Sequence, residues 1–251
     1  MSRWCEMMAT IGSDYGVCPK CGAELASRNV SAKAECCRCG EVADSSLSCA
    51  GGHFFCERCR SVLAHDMIER FCVQSDSVNP MEMALSLMRN PLVRIHGPVH
   101  HFLVPAVLLA AYYNAGKKYA EKERKIGDAR KRAVNVLGGF CGLYGDCGAA
   151  VGTGIYVSLV TNATPLSKSE WRLSNLMTAQ SLVSVANHGG PRCCKRNSFL
   201  SIIEAIDFSE KHLGTALKAN PDVKCEFNDR NKECLRAECP FYDLKTPALH
   251  R

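Results

Sequence analysis

The sequence predicts a mainly α-helical protein, a helical domain that carries a small β-ribbon module at its N-terminus. Three observations predict it. Of 17 cysteines, nine lie in residues 1–63, only Cys72 in residues 64–140, and seven in residues 141–239. The first 63 residues are rich in Gly, Ser and Cys and poor in large aliphatics, and so short a segment folds stably only with metal ions or covalent bridges. From Ala64 onward apolar residues recur at the helical period, with no alternating strand run outside the first segment. The expected division is a metal-bound module over 1–63 and a helical domain over 64–251.

Bulk composition agrees. With 251 residues, 47% of them apolar and 22% charged, the chain can bury a sizeable core and is not disordered throughout. No apolar run reaches the roughly 18 residues a membrane span needs. The longest, Phe102 to Tyr113, follows His100 and His101 and reads as a buried helix. The N-terminus lacks the apolar stretch of a secretion signal, so a cytoplasmic location is expected. In that compartment 17 thiols point to metal ligands and reactive groups before disulfides.

In chain order, the module comes first. It holds four ligand pairs: Cys18-x-x-Cys21-Gly, Cys36-x-x-Cys39-Gly, Cys49-x₃-His53 and Cys56-x-x-Cys59. A C-x-x-C turn brings two thiolates to one Zn²⁺ at about 2.3 Å, and the glycine that follows relieves the tight backbone. Eight ligands make two tetrahedral sites. The run from Cys49 to Cys59 resembles the middle of cross-brace fingers such as RING domains. In that interleaved order Cys18, Cys21, Cys49 and His53 share one zinc, and Cys36, Cys39, Cys56 and Cys59 the other. Sequential pairing is the alternative, and spacing does not separate the two. Cys5, Cys37 and Cys72 are left spare.

The helices follow. Pro80 to Met88 reads as a helix opened by Asn79 and Pro80 and ended before Asn90-Pro91. Pro98 to Ala115 is almost wholly apolar and closed by Gly116, hence buried on most faces. Lys118 to Val136 is charged, with Tyr119, Ile126 and Ala133 on its apolar side, and reads as a solvated amphipathic helix. Ala149 to Val160, Leu173 to Asn187 and Ser198 to Ala219 complete the set.

Three further clusters carry chemistry. The stretch from Gly138 to Gly154 packs seven glycines around Cys141 and Cys147 and leads into a helix. Its glycines, Gly145, Gly148, Gly152 and Gly154 among them, let backbone approach a cofactor, and a helix N-terminus favours anions and lowers a thiol pKa. A thiolate nucleophile at Cys147, a redox pair with Cys141 or cluster ligation each suits it; two inert cysteines on a glycine-rich packing surface would give the same pattern. Next, Cys193-Cys194 is followed by Cys225, Cys234 and Cys239-Pro240. Adjacent cysteines do not easily ligate one metal, and Cys-Pro is common at iron–sulfur ligands. Cys194, Cys225, Cys234 and Cys239 are therefore expected to hold an iron–sulfur cluster or a third zinc, with Cys141 and Cys147 as alternative ligands. Finally, His96, His100 and His101 gather at the start of the apolar helix, where a neutral imidazole suits a general base or ligand, as well as a capping role.

Together, the knuckles, HGPVHHFLVPAVLLAAY, CGLYGDCGAAVGTGI, the Cys-Cys pair and the terminal C-x₄-C-P resemble an uncharacterised prokaryotic family, the domain of unknown function 5714, sometimes found beside methyltransferases. The resemblance covers about residues 18–243 and implies no catalytic residue. Cys147-Gly-Ala is also similar to redox-associated proteins with a C…GCAxxG…C…C signature, although here the later pair is adjacent.

Three functions follow as expectations. The first is a metal- and thiol-dependent enzyme of redox or sulfur/one-carbon transfer chemistry, with Cys147 attacking, Cys141 resolving and His100 carrying a proton. The second is nucleic-acid or protein binding, since Lys117 to Arg132 holds eight Lys/Arg against three acids, although those acids are interleaved. The third is an accessory subunit of a partner enzyme such as a methyltransferase. The formal charge of +6 counts thiols as neutral. A four-thiolate zinc contributes −2 and a three-thiolate, one-histidine zinc −1, leaving about +3 and weakening the nucleic-acid reading.

Overall fold

The computed structural model describes Cys18, residues 20–218 and residues 222–243. Cys5 lies outside the described residues. The fold is mainly helical with a small N-terminal β-ribbon. Strands β1 (Leu25–Glu35) and β2 (Val42–Cys49) pair antiparallel, with Leu25 opposite Cys49 at the open end and Glu35 opposite Val42 beside the turn. The register shifts between Ser27 and Ala32. Among the described side chains here little but cysteine is buried: Leu25 joins Cys18 and Cys49 at one end, and Cys36, Cys56 and Cys59 cluster at the other.

Helix α1 (Glu57–Gln74) begins with Cys56 at its N-cap, so position 63/64 lies inside a helix. Its first turn belongs to the ribbon end, while Ala64, Ile68 and Cys72 enter the main core. Helix α2 (Pro80–Arg89) is capped as its sequence predicts: Asn79 Oδ1 accepts from the N–H groups of Met81 (3.1 Å) and Glu82 (3.2 Å), and Pro80 fills the first position.

Helix α3 (Val99–Ala115) is the axis of the fold and packs against α1, α2, α4 (Tyr119–Ala133), α6 (Gly148–Thr161) and α8 (Cys194–Leu213). Helix α7 (Ser169–Asn187) covers α6 and α8 from outside. Because α3 meets neighbours on nearly every side it carries no polar face, and its side chains from Phe102 to Ala111 are buried. None of the described helices is long and apolar enough to cross a membrane.

Helix α4 corrects its expectation. It stops at Ala133, Tyr119 is exposed, and two of its lysines are buried, Lys122 at 4% exposure and Lys125 at 2%. Lys122 Nζ donates to Ser75 O (2.8 Å) and Asn114 Oδ1 (2.9 Å), fastening the α1–α2 link to α3. Lys125 Nζ donates to Leu159 O (2.5 Å) and Asn162 Oδ1 (2.6 Å) at the end of α6, where free carbonyls favour a cation. The face is therefore partly an internal brace rather than wholly solvated. Helix α8 also shifts. It begins at Cys194, because the Cys193 side chain caps Arg196, and ends where Gly214 turns left-handed at φ +62°.

A four-residue helix, α5 (Phe140–Leu143), lies within the glycine-rich stretch. Residues 222–243 form two short 3₁₀ turns laid over the start of α8, held by Cys225 N–H to Phe241 O (2.7 Å) and by the Arg89–Glu226 ion pair.

Candidate metal centres and thiol cleft

The hairpin sorts the four ligand pairs. An antiparallel ribbon puts residues just before β1 and just after β2 at one end, and the turn residues at the other. Cys18 and Cys21 therefore meet Cys49 and His53, while Cys36 and Cys39 meet Cys56 and Cys59, which α1 delivers from its cap and first turn. The four ligand atoms of each set lie within 4.8 Å of one another, so each set could hold a metal ion. Cys21 Sγ stands 3.7 Å from Cys49 Sγ, and Cys39 Sγ 3.7 Å from Cys56 Sγ. A tetrahedron with 2.3 Å metal–sulfur bonds has edges of about 3.8 Å. Both knuckles close with left-handed glycines, Gly22 (φ +72°) and Gly40 (φ +73°), where a side chain would be strained. Cys37 is exposed and belongs to neither set.

The glycine-rich stretch divides in two. Gly148, Gly152 and Gly154 stand where helices approach closely. A Cβ on Gly148 would overlap the His101 ring, one on Gly152 would sit 2.8 Å from Pro105 Cδ, and one on Gly154 would overlap the Thr178 hydroxyl. These glycines let α6 lie close against α3 and α7. Gly145 instead turns left-handed (φ +69°) with open space beside it and lines a solvent-open cleft of about 790 Å³.

That cleft gathers Cys141 and Cys147, the outer part of α7, the Gly189-Gly190 turn and Arg192, Arg196 and Asn197 at the start of α8. Cys147 is the N-cap residue of α6, and Asn197 Nδ2 donates to its sulfur at 3.5 Å. Arg196 is pinned to Gly189 O (2.7 Å) and Pro191 O (3.2 Å), fixing the turn. Two thiols, two guanidinium groups and two helix N-termini thus bound one space, an arrangement suited to holding an anion beside a sulfur.

The histidines do not enter it. His100 is buried, with Nε2 against Arg94 O (3.0 Å) and Nδ1 against Ser198 Oγ (3.3 Å). Burial, aided by the Lys195 charge, pulls its pKa down to about 3. Both ring nitrogens are thus engaged within the fold, away from the cleft. His101 also sits lowered by burial, Nδ1 against Val136 O (2.8 Å), with its ring on Gly148. His96 Nε2 pairs with Glu233 (3.2 Å) and its buried Nδ1 has no partner.

The adjacent cysteines separate in the opposite sense to the expectation. Cys193, at the N-cap of α8, lines a small cavity with Cys225, Cys234 and Cys239. Cys194, one step into the helix, does not line that cavity; the Gly97 backbone donates to it, and burial pushes its thiol up to about 11. The helix phase explains this: a cap residue points back along the incoming chain, whereas the first helical residue points a quarter turn away. Arg192, Arg196 and Asn197 were not foreseen as site residues; a helix start at Cys194 was the signal that would have placed them beside Cys147.

The basic stripe of α4 is met by acids and acceptors. Arg130 pairs with Asp66 (2.6 Å) and Glu69 (2.5 Å), Arg124 with Asp128 (3.5 Å), Lys131 with Asp128 (3.0 Å), and Arg132 donates to Ser158 Oγ (2.8 Å).

Residues 68–242 match the model of a family of unknown function, DUF5714. No curated protein and no solved structure matches the chain.

Proposed function

The chain belongs to the DUF5714 family, and from that premise we propose that it is a metal- and thiol-dependent enzyme whose chemistry resides in the cleft of the helical domain. The observation that carries this reading is the convergence of Cys141 and Cys147 with Arg192, Arg196 and Asn197 around one open space. Cys147 is the attacking thiolate. The N–H groups of α6 and the Asn197 amide stabilise its charge, and Cys141 is the resolving thiol. Redox or sulfur/one-carbon transfer on a small anionic substrate suits such a site. The division of labour is a stapled module over 1–63 and a working domain over 64–251. Zinc is the metal we assign to the two N-terminal sets, because thiolate with imidazole at tetrahedral spacing suits it and it adds no redox chemistry of its own. Reduced thiols on this scale suit the cytoplasm.

The test is oxidation of the full chain with oxidised glutathione followed by peptide mapping. A Cys141–Cys147 disulfide, formed as the two thiols pass two electrons and two protons to the oxidant, is the expected product. If both cysteines remain separately alkylatable, the redox-pair reading is wrong.

One observation favours an accessory role beside a partner enzyme such as a methyltransferase. Leu143 and Tyr144, at the end of α5 between the cleft-lining Gly142 and Gly145, are 79% and 73% exposed. A partner that co-purifies with the wild type and is lost in Leu143→Asp would support that role. Nucleic-acid binding through α4 is not proposed, since its charges are already engaged within the fold.

A further inference from the structure

We propose that Cys193, Cys225, Cys234 and Cys239 form a third metal centre, one shaped for an iron–sulfur cluster rather than a single ion. All four line the same cavity between the start of α8 and the segment 222–243. The sulfurs are supplied with main-chain N–H donors: Arg196 to Cys193 (3.5 Å), Phe227 to Cys225 (3.4 Å) and Arg236 to Cys234 (3.4 Å), with the Phe241 N–H turned to Cys239. Ordinary buried thiols need no such service; anionic sulfur does, and these donors also tune a cluster's potential.

Spacing decides between one ion and a cluster. Among the described residues, the two N-terminal sets are those whose ligand atoms close to within 4.8 Å. The four C-terminal thiols line one cavity without closing to that spacing. A single zinc draws its sulfurs to about 3.8 Å, whereas a cube of iron and sulfide holds its cysteines at its outer corners, well beyond that.

The walls point the same way. Phe199, Phe227 and Phe241 shield the cavity, and Lys195 lines it at 1% exposure. Lys195 Nζ donates to the carbonyls of Met88 (2.8 Å) and Val93 (3.1 Å) and stands 4.1 Å from the centre of the Phe227 ring. Cys194 is excluded, since it does not line this cavity. None of this depends on the disulfide chemistry assigned to the cleft.

The test uses the full chain, purified anaerobically and reconstituted with ferrous iron and sulfide. The expected result is about four iron and four acid-labile sulfide per chain beside the zinc, and a broad visible absorption that dithionite bleaches. Cys193→Ser should lose the iron and colour, and Cys194→Ser should keep them. Cys234→Ser, in an irregular and half-exposed segment, repeats the loss should Cys193→Ser fail to fold. A colourless wild type without sulfide, with or without a third zinc, overturns the cluster. So does loss of colour in Cys194→Ser with retention in Cys193→Ser.

Discussion

Burial without a partner marks several single residues, and it has consequences in solution. His65 is 6% exposed, its Nε2 has no partner, and its ring stands edge-on to Phe102 at 5.3 Å. Burial lowers its pKa from the usual 6.5 to about 4, with Arg130 adding to the shift. The unfolded chain therefore takes up a proton below pH 6.5 that the folded chain refuses until about pH 4, and stability falls as pH drops through that window. The loss attributable to His65 is of order 3 kcal/mol. Thermal unfolding from pH 7 to 5 should cost the wild type more than His65→Phe, which leaves the thiolates unchanged. Parallel losses in the two proteins would contradict the assignment. At the same scale, the sequence was legible where a residue's role is local, as with Asn79 and Pro80 opening α2 or Gly22 and Gly40 closing the knuckles. It was not legible at His100 or Gly148. Their roles depend on what lies across the helix interface, Ser198 and Arg94 for one and His101 for the other.

Element by element, periodicity identified the long helices because an apolar run such as Phe102 to Tyr113 has only one buried solution. Helix ends were less legible. The start of α1 was hidden because its first turn is recruited as a metal-ligand segment rather than as an apolar stripe. The lysines of α4 look like a solvated face until the helix ends they brace, Ser75 and Leu159, are in view. The same logic makes α1 the joint between module and domain. Cys56 and Cys59 sit at its cap and first turn, while Ile68 and Cys72 lie in the core. Chelation should therefore melt the ribbon and the first turns of α1 and leave α3 and its neighbours folded. Hydrogen exchange with and without a strong zinc chelator checks this: protection is expected to vanish over residues 25–60 and persist over 99–115. Uniform loss across both regions, or none in the ribbon, would contradict it.

At the scale of the whole molecule, cysteine is divided by distance. Tight sets staple the ribbon, wider thiols surround a cavity at the start of α8, and two more border an open cleft on the other side of the same helix terminus. Composition announced the first group through C-x-x-C spacing. The others were only partly readable, because their members come together from positions up to about fifty residues apart, and one helical step decides whether Cys193 or Cys194 belongs. In the cleft, Cys147 lies beside Arg192 and Arg196, groups suited to hold an anion. Alkylation of Cys147 by iodoacetate and by iodoacetamide, read by mass spectrometry on the full chain, tests it most directly. Cys147 is expected to prefer the anionic reagent relative to a free cysteine, by about tenfold for one favourable charge contact of about 1.4 kcal/mol, and Arg192→Gln is expected to reduce the preference. Equal or reversed selectivity, unchanged by that substitution, would contradict it.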